Sequence, residues 1–306
     1  MGEQLNGVLL LGFGGPEGPE GVEAFMTRLM KGRKPPPPVI TKVQARYRQI
    51  GGKSPLLEIT RAQAAALEAR LNQLGGSWKV AVGMSNSAPY IEEGLKELIA
   101  AGAGQVIALS ISPHYSRITT GAYLAEVDRL KEQFSCPVIP APAWYDHPLF
   151  IAALAARGRE QLQDFERPEE VELIFSAHSL PVSYVSGSEA DPYQEQVEVT
   201  ARALAAHFPA NPWTLAYQSK GGGQGEWLGP EVEEVLEQLA AKGKKDVLLI
   251  PIGFAADHIE TLYDIDIEQA NHARSLGLNF RRARAVNDLP LFISALAEVV
   301  TEVMKR

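Results

Sequence analysis

The stretch GFAADHIETLYDIDIEQA, residues 253–270, places Glu260, Asp264 and Glu268 at a strict spacing of four, with Asp257 just ahead of them. On a helix, side chains four apart share a face about 5–6 Å apart, and each like-charged pair costs about 0.2–0.5 kcal/mol. A column of acids carried at that cost points to cation binding or proton transfer; a solvated face with screened charges is the plain alternative. A second chemical group lies upstream in IFSAHSLP, where His178 stands at the carboxyl end of a predicted strand. A lone histidine is more often a structural hydrogen-bonder, but strand ends are where sites are built. A neutral imidazole facing a carboxylate suits a divalent first-row metal such as iron, or a base poised near neutral pH with an acidic partner.

The glycine-rich stretches do not supply a nucleotide site. LGFGGPEGPE carries Gly12, Gly14 and Gly15, but Glu17 stands where a dinucleotide fingerprint needs its third glycine. RYRQIGGKS ends like a phosphate loop, yet its first required glycine falls on Tyr47 and the residues before it read as helix. SKGGGQGEW, residues 219–227, has no Lys-Ser pair after its glycines and reads as a surface loop.

Something must hold these groups. Short apolar, β-branched runs alternate with helical patterns, which predicts βα units and a parallel sheet. Strands are expected near residues 7–12, 78–84, 105–111 and 137–141, then 171–177, 213–218, 246–252 and 279–284. IEEGLKELIAAG and PEVEEVLEQLAAKG end in glycine stop signals. DPYQEQVEVTARALAAHF opens with an Asp cap and a Pro at the first helical position. DHPLFIAALA from Asp146 and DLPLFISALA from Asp288 match at eight of ten positions, each after the fourth strand of its half, as duplication would leave them. The expected fold is doubly wound α/β with two lobes, residues 1–147 and 148–289, the C-terminal helix 290–306 being free to pack back on the first. Ligands of such sheets bind beyond the carboxyl ends of the strands, so the cleft between lobes is the expected site.

Composition narrows the function classes. A chain of 306 residues exceeds the usual single domain of about 100–200. Its one cysteine, Cys136, in a segment (136–142) that reads as a buried strand, excludes internal disulfides and a four-cysteine iron-sulfur cluster, and fits a reducing cytoplasm. The opening MGEQLNGVLLLGFGG lacks a basic n-region, and its apolar run is too short for a signal peptide or a membrane span. A net charge of −8 argues against general nucleic-acid binding. The charge is uneven, however: Lys31, Arg33, Lys34, Lys42, Arg46, Arg48 and Lys53 fall in one stretch without a single Asp or Glu, as a local anion site would need.

Six motifs, LGFGGPE, GGKSPL, FSAHSLP, DPYQEQ, WLGP and GFAADHIETLYDID, occur in this order over nearly the whole chain, and together they resemble ferrochelatases, most closely the soluble bacterial coproporphyrin III ferrochelatases. The resemblance implies the chelatase fold: two Rossmann-like lobes, each with a four-stranded parallel sheet flanked by helices, and a porphyrin between them. It implies metal-site and catalytic roles for His178 and Glu260, and porphyrin contacts at Ser54, Tyr123, Arg46, Tyr47, Phe13 and Met30. Asp264 and Glu268 would extend from Glu260 as a path for protons or hydrated cations. Some members carry Tyr at position 13 and Arg at position 30; Phe13 has no oxygen with which to ligate product iron. The implied substrates are coproporphyrin III and ferrous iron, with no permanently bound cofactor and no iron-sulfur cluster. A haem-pathway enzyme that accepts the product is a candidate partner, and a cytoplasmic monomer is expected. Protoporphyrin IX ferrochelatase, another tetrapyrrole chelatase, or a two-lobed haem- or porphyrin-binding protein are the competing readings.

Overall fold

The computed structural model describes residues 4–134, 136–187, 190–221 and 225–305; part of the glycine-rich stretch read above as a surface loop, residues 222–224, lies outside them. Eight strands form, all paired in parallel: β1 (Leu5–Gly12), β2 (Ser77–Met84), β3 (Gln105–Ser110), β4 (Val138–Pro140), β5 (Glu172–His178), β6 (Trp213–Gln218), β7 (Asp246–Pro251) and β8 (Asn279–Arg282). They make two four-stranded sheets with the same order of strands, β2-β1-β3-β4 and β6-β5-β7-β8. Val8, Leu9, Leu10 and Leu11 are all buried, so both faces of β1 are covered, as the continuous apolar run requires. On one face Leu9 and Leu11 pack with Ile91, Leu95, Val106 and Tyr123. In the second sheet Ile174, Val247 and Leu249 pack with Val232, Leu236 and Ile265.

The glycine stops act as expected. The helices Ile91–Ala100 and Val232–Ala241 are followed by Gly102 at φ +89° and Gly243 at φ +73°, left-handed values that favour a residue without a side chain. Two local expectations are corrected. The helix after DPY starts at Tyr193 with Pro192 as its cap, because Asp191 belongs to the preceding loop, where its N–H donates to Tyr184 O at 2.8 Å. The strand near Cys136 is only three residues long and half-exposed, since it pairs with β3 alone at a sheet edge.

The chain divides into two compact units: Met1–Ser112 with Arg117–Trp144 and Asn287–Arg306, and Pro113–Ser116 with Tyr145–Val286. The two PLF helices are therefore exchanged. Pro148–Leu162 follows β4 but packs on β7 and the helix Tyr193–Ala205, whereas Pro290–Val303 follows β8 but packs on β3 and the helix Leu56–Leu74.

Candidate active site

In the second unit, β5 ends at His178 with the loop Ser179–Pro181 beyond it. The SLP and WLGP motifs meet here. Ser179 N donates to Gln218 O at 2.8 Å, Ser179 Oγ to Leu228 O at 2.8 Å, and Leu228 N to Leu180 O at 2.9 Å. Tyr193 of the DPY motif donates its hydroxyl to His178 O at 2.8 Å. Its hydroxyl pKa is raised, chiefly by burial and then by the charges at Tyr217 and Glu260, so it stays a neutral donor. Motifs far apart in sequence thus fix the backbone on both sides of one histidine.

His178 Nδ1 lies 2.6 Å from Ser179 O. A carbonyl only accepts, so Nδ1 carries a proton, and Nε2 is the ring nitrogen turned to the site.

Facing it is the segment that follows β7. Ile252 N and Gly253 N both donate to Ser176 O, at 2.9 and 3.3 Å. A Cβ on Gly253 would stand 3.1 Å from that of Ala177, so glycine allows this loop to press against the end of β5. The chain then turns through Thr261, whose Oγ accepts from His258 N at 2.9 Å and donates to His258 O at 3.0 Å.

The acidic segment departs from the α-helix expected of it. Glu260–Gln269 is a π-helix, continued as an α-helix over Ala270–Ser275. Thr261, Ile265, Gln269 and Ala273 are buried at a strict spacing of four. That repeat falls between the α-helical 3.6 residues per turn and the longer turn of a π-helix, and it runs on into the α-helical part at Ala273.

Glu260 Oε1 comes to 3.8 Å from His178 Nε2, and Glu260 Oε2 to 3.4 Å from His258 Nε2. His258 Nδ1 is held 3.1 Å from Ala256 O, so its Nε2 is the nitrogen turned to the carboxyl group. Two imidazoles thus face one carboxyl group, a setting for proton exchange, while among the described residues no group of three or more His, Cys, Asp or Glu is arranged to hold a metal ion. The side chains of His178 and Glu260 are each 31% exposed, open enough to meet a ligand, whereas that of His258 is 15% exposed.

The rest of the acidic column is not a uniform face. Asp264 is buried and accepts from Ser219 Oγ at 2.6 Å, Ser219 taking the rare left-handed φ of +57°. Glu268 is exposed. Asp257 is no member of the column, since it pairs with Arg282.

The other expected residues lie in the first unit. Phe13 follows β1 and is 37% exposed, its carbonyl fixed by Asn86 N at 3.0 Å and Asn86 Nδ2 at 3.1 Å. Gly14, at φ +85°, passes so close to Ser87 that any side chain would collide with it, and Gly15 N donates to Ser87 Oγ at 3.1 Å. That explains Gly14 of LGFGGPE. Met30 and Arg46 are half-buried, and Ser54 accepts from Leu56 N at 3.3 Å at the start of a helix. Tyr47 is buried with its hydroxyl near Gly15, and Tyr123, 1% exposed, sits in the core behind β1.

Sequence reasoning missed His258, Ser219, Thr261 and Tyr193 as site residues. His258 was within reach of it: an imidazole two residues before Glu260 shares its loop.

A sequence model of the family described as Ferrochelatase matches residues 5–304. The ferrochelatase of Geotalea uraniireducens is 43% identical over 96% of each chain, and that of Aquifex aeolicus is 41% identical over 96% of this chain and 98% of its own. Among solved structures, SirB from Bacillus subtilis with Fe3+ superposes with a TM-score of 0.59 at 14% identity, covering 98% of this chain and 95% of its own, which is a likeness of fold.

Proposed function

Because the chain belongs to the ferrochelatase family, its reaction is the insertion of iron into a porphyrin, and we propose that this porphyrin is coproporphyrin III and that His178 and Glu260 carry the chemistry. The observation that supports the substrate is the acid-free run from Lys31 to Lys53. Lys31, Arg33, Lys34, Lys42, Arg48 and Lys53 are all exposed in a chain whose net charge is −8. Coproporphyrin III carries four propionates and protoporphyrin IX two. A local cationic surface favours approach of the tetra-anion against the repulsion of the whole protein.

In metallation the free-base porphyrin gives up two pyrrole protons and ferrous iron gives up its water. His178 Nε2 is the proton acceptor in this reading, and Glu260 is the second acceptor and a weak oxygen ligand for the passing iron. Its other oxygen faces His258, which gives a transferred proton an onward position. Asp264 and Glu268 continue the path outward. Phe13, Met30, Ser54 and Arg46 are the proposed porphyrin contacts. Tyr47 and Tyr123, being buried, support that wall by holding the loop after β1 and the sheet behind it.

Iron enters as substrate, and a single cysteine gives the chain no four-cysteine cluster of its own. No helix among the described residues is long and apolar enough to cross a membrane. A cytoplasmic monomer that hands its product to a later enzyme of the haem pathway completes the proposal. The deciding experiment is anaerobic ferrous insertion into coproporphyrin III and protoporphyrin IX, side by side and followed by absorbance. Faster metallation of coproporphyrin supports the reading, and a preference for protoporphyrin overturns it.

A further inference from the structure

The π-helix is a rare winding and needs support from outside itself. One guanidinium holds the segment at two points. Arg282 is the last residue of β8, and its side chain is 7% exposed. Its Nε and Nη2 donate to Asp266 Oδ1 and Oδ2, both at 2.7 Å, and its Nη1 donates to Asp257 Oδ1 at 2.7 Å and to Ala283 O at 3.2 Å. Asp257 Oδ1 also accepts from Ala285 N at 3.3 Å. Asp257 comes shortly before Glu260 and Asp266 lies beyond it in the π-helix. One planar fork therefore ties both flanks of the reacting carboxylate to a single point on β8, and the bidentate pair with Asp266 fixes orientation as well as distance.

Glu260 is carried between those two held points, its carboxylate 3.8 Å from His178 Nε2 and 3.4 Å from His258 Nε2, so a shift of that backbone moves the carboxylate relative to both imidazoles. Thr261 and the core residue Ile265 fix how deep the helix sits, and the Arg282 fork fixes its ends.

We propose that Arg282, through Asp257 and Asp266, is a positioning residue for metal insertion, holding Glu260 opposite His178; the inference rests on the reading of Glu260 as a reacting carboxylate. A purely structural arginine would lower stability and leave the turnover of folded enzyme unchanged. A positioning arginine lowers kcat at constant porphyrin KM, because displacing a reacting group costs rate more than binding.

The test is anaerobic ferrous insertion by the wild type, Glu260→Gln, Arg282→Met, Arg282→Lys and Asp266→Asn, with kcat, porphyrin KM and thermal melting recorded for each. Arg282→Met is expected to lose about tenfold or more in kcat with KM within about twofold. Arg282→Lys should recover part of that loss, since it keeps the charge but not the fork. Asp266, whose side chain is 38% exposed, provides the mild arm: Asp266→Asn should lose about threefold in kcat at a near-native melting temperature. Wild-type kcat in folded Asp266→Asn and Arg282→Lys, with Glu260→Gln impaired, overturns the clamp alone. Wild-type kcat in Glu260→Gln overturns the reading of Glu260 and the positioning role with it.

Discussion

The Nε2 of His258 stands 3.4 Å from Glu260 Oε2, while that of His178 stands 3.8 Å from Glu260 Oε1. Glu260 is thus shared between two imidazoles whose other nitrogens are both committed to backbone carbonyls. Each imidazole is held through Nδ1 with its Nε2 turned to the carboxyl group. In the proposed mechanism, which must dispose of two protons, this cluster supplies more than one acceptor.

Replacing His178 with Ala, or Glu260 with Gln, removes a proton acceptor and is expected to lower kcat about 10²-fold or more. Both side chains are part-exposed, so melting temperatures should hold within a few degrees. Steady-state metallation alongside thermal melts checks this; near-native kcat in either variant would remove that residue from the mechanism.

Glu268 is exposed at the outer end of the acidic column. Glu268→Gln should leave stability untouched and raise the apparent KM for ferrous iron severalfold, the porphyrin KM staying constant. Rates measured across iron concentrations decide it, and identical curves would refute the path.

The cationic run acts at long range and is exposed, so its contribution is screened by salt. Arg33→Glu with Lys34→Glu should lower kcat/KM for coproporphyrin III and flatten its dependence on ionic strength, with a smaller effect on protoporphyrin IX. Parallel salt titrations of the two substrates would expose equal effects and so disprove a role in selection.

His114 is fully buried, its Nε2 2.9 Å from Thr200 Oγ1 and its ring packed on Tyr145 and Tyr193. Burial lowers its pKa to about 3. The unfolded chain, with an ordinary histidine near 6.5, binds the proton first, so this group's contribution to stability is complete above about pH 6.5 and is lost as pH falls towards 3. His114→Gln should flatten stability over that window by up to about 1.4 kcal/mol per pH unit. Urea melts at pH 7 and pH 5 measure the difference; an equal slope in wild type and variant would contradict it.

Much of this protein is written locally. Runs such as VLLLG and DVLLIP form buried parallel strands because apolar, branched residues on both faces leave no solvated side. The glycines after Ala101 and Lys242 end helices because they tolerate positive φ. His178 was legible as a site candidate from its place at a strand end; the column of acids marked its segment, and the family resemblance picked Glu260 out of it.

The tertiary structure decided what local rules cannot reach. Four-residue spacing admits either an α-helix or a wider one; the structure has the wider one over Glu260–Gln269, bound through Asp266 to Arg282 of β8. The two PLF helices begin with nearly the same eight residues, from a proline, yet each packs with the other half of the chain, because which sheet a helix covers depends on the surface left open there. Asp257 and Asp264 look in sequence like further members of one acidic face. Arg282 pairs with the first and Ser219 donates to the second, while Glu260 faces the imidazoles of His178 and His258. Residue types and periods set the elements and their chemistry, while the partners of each charge were fixed by contacts between residues distant in the chain.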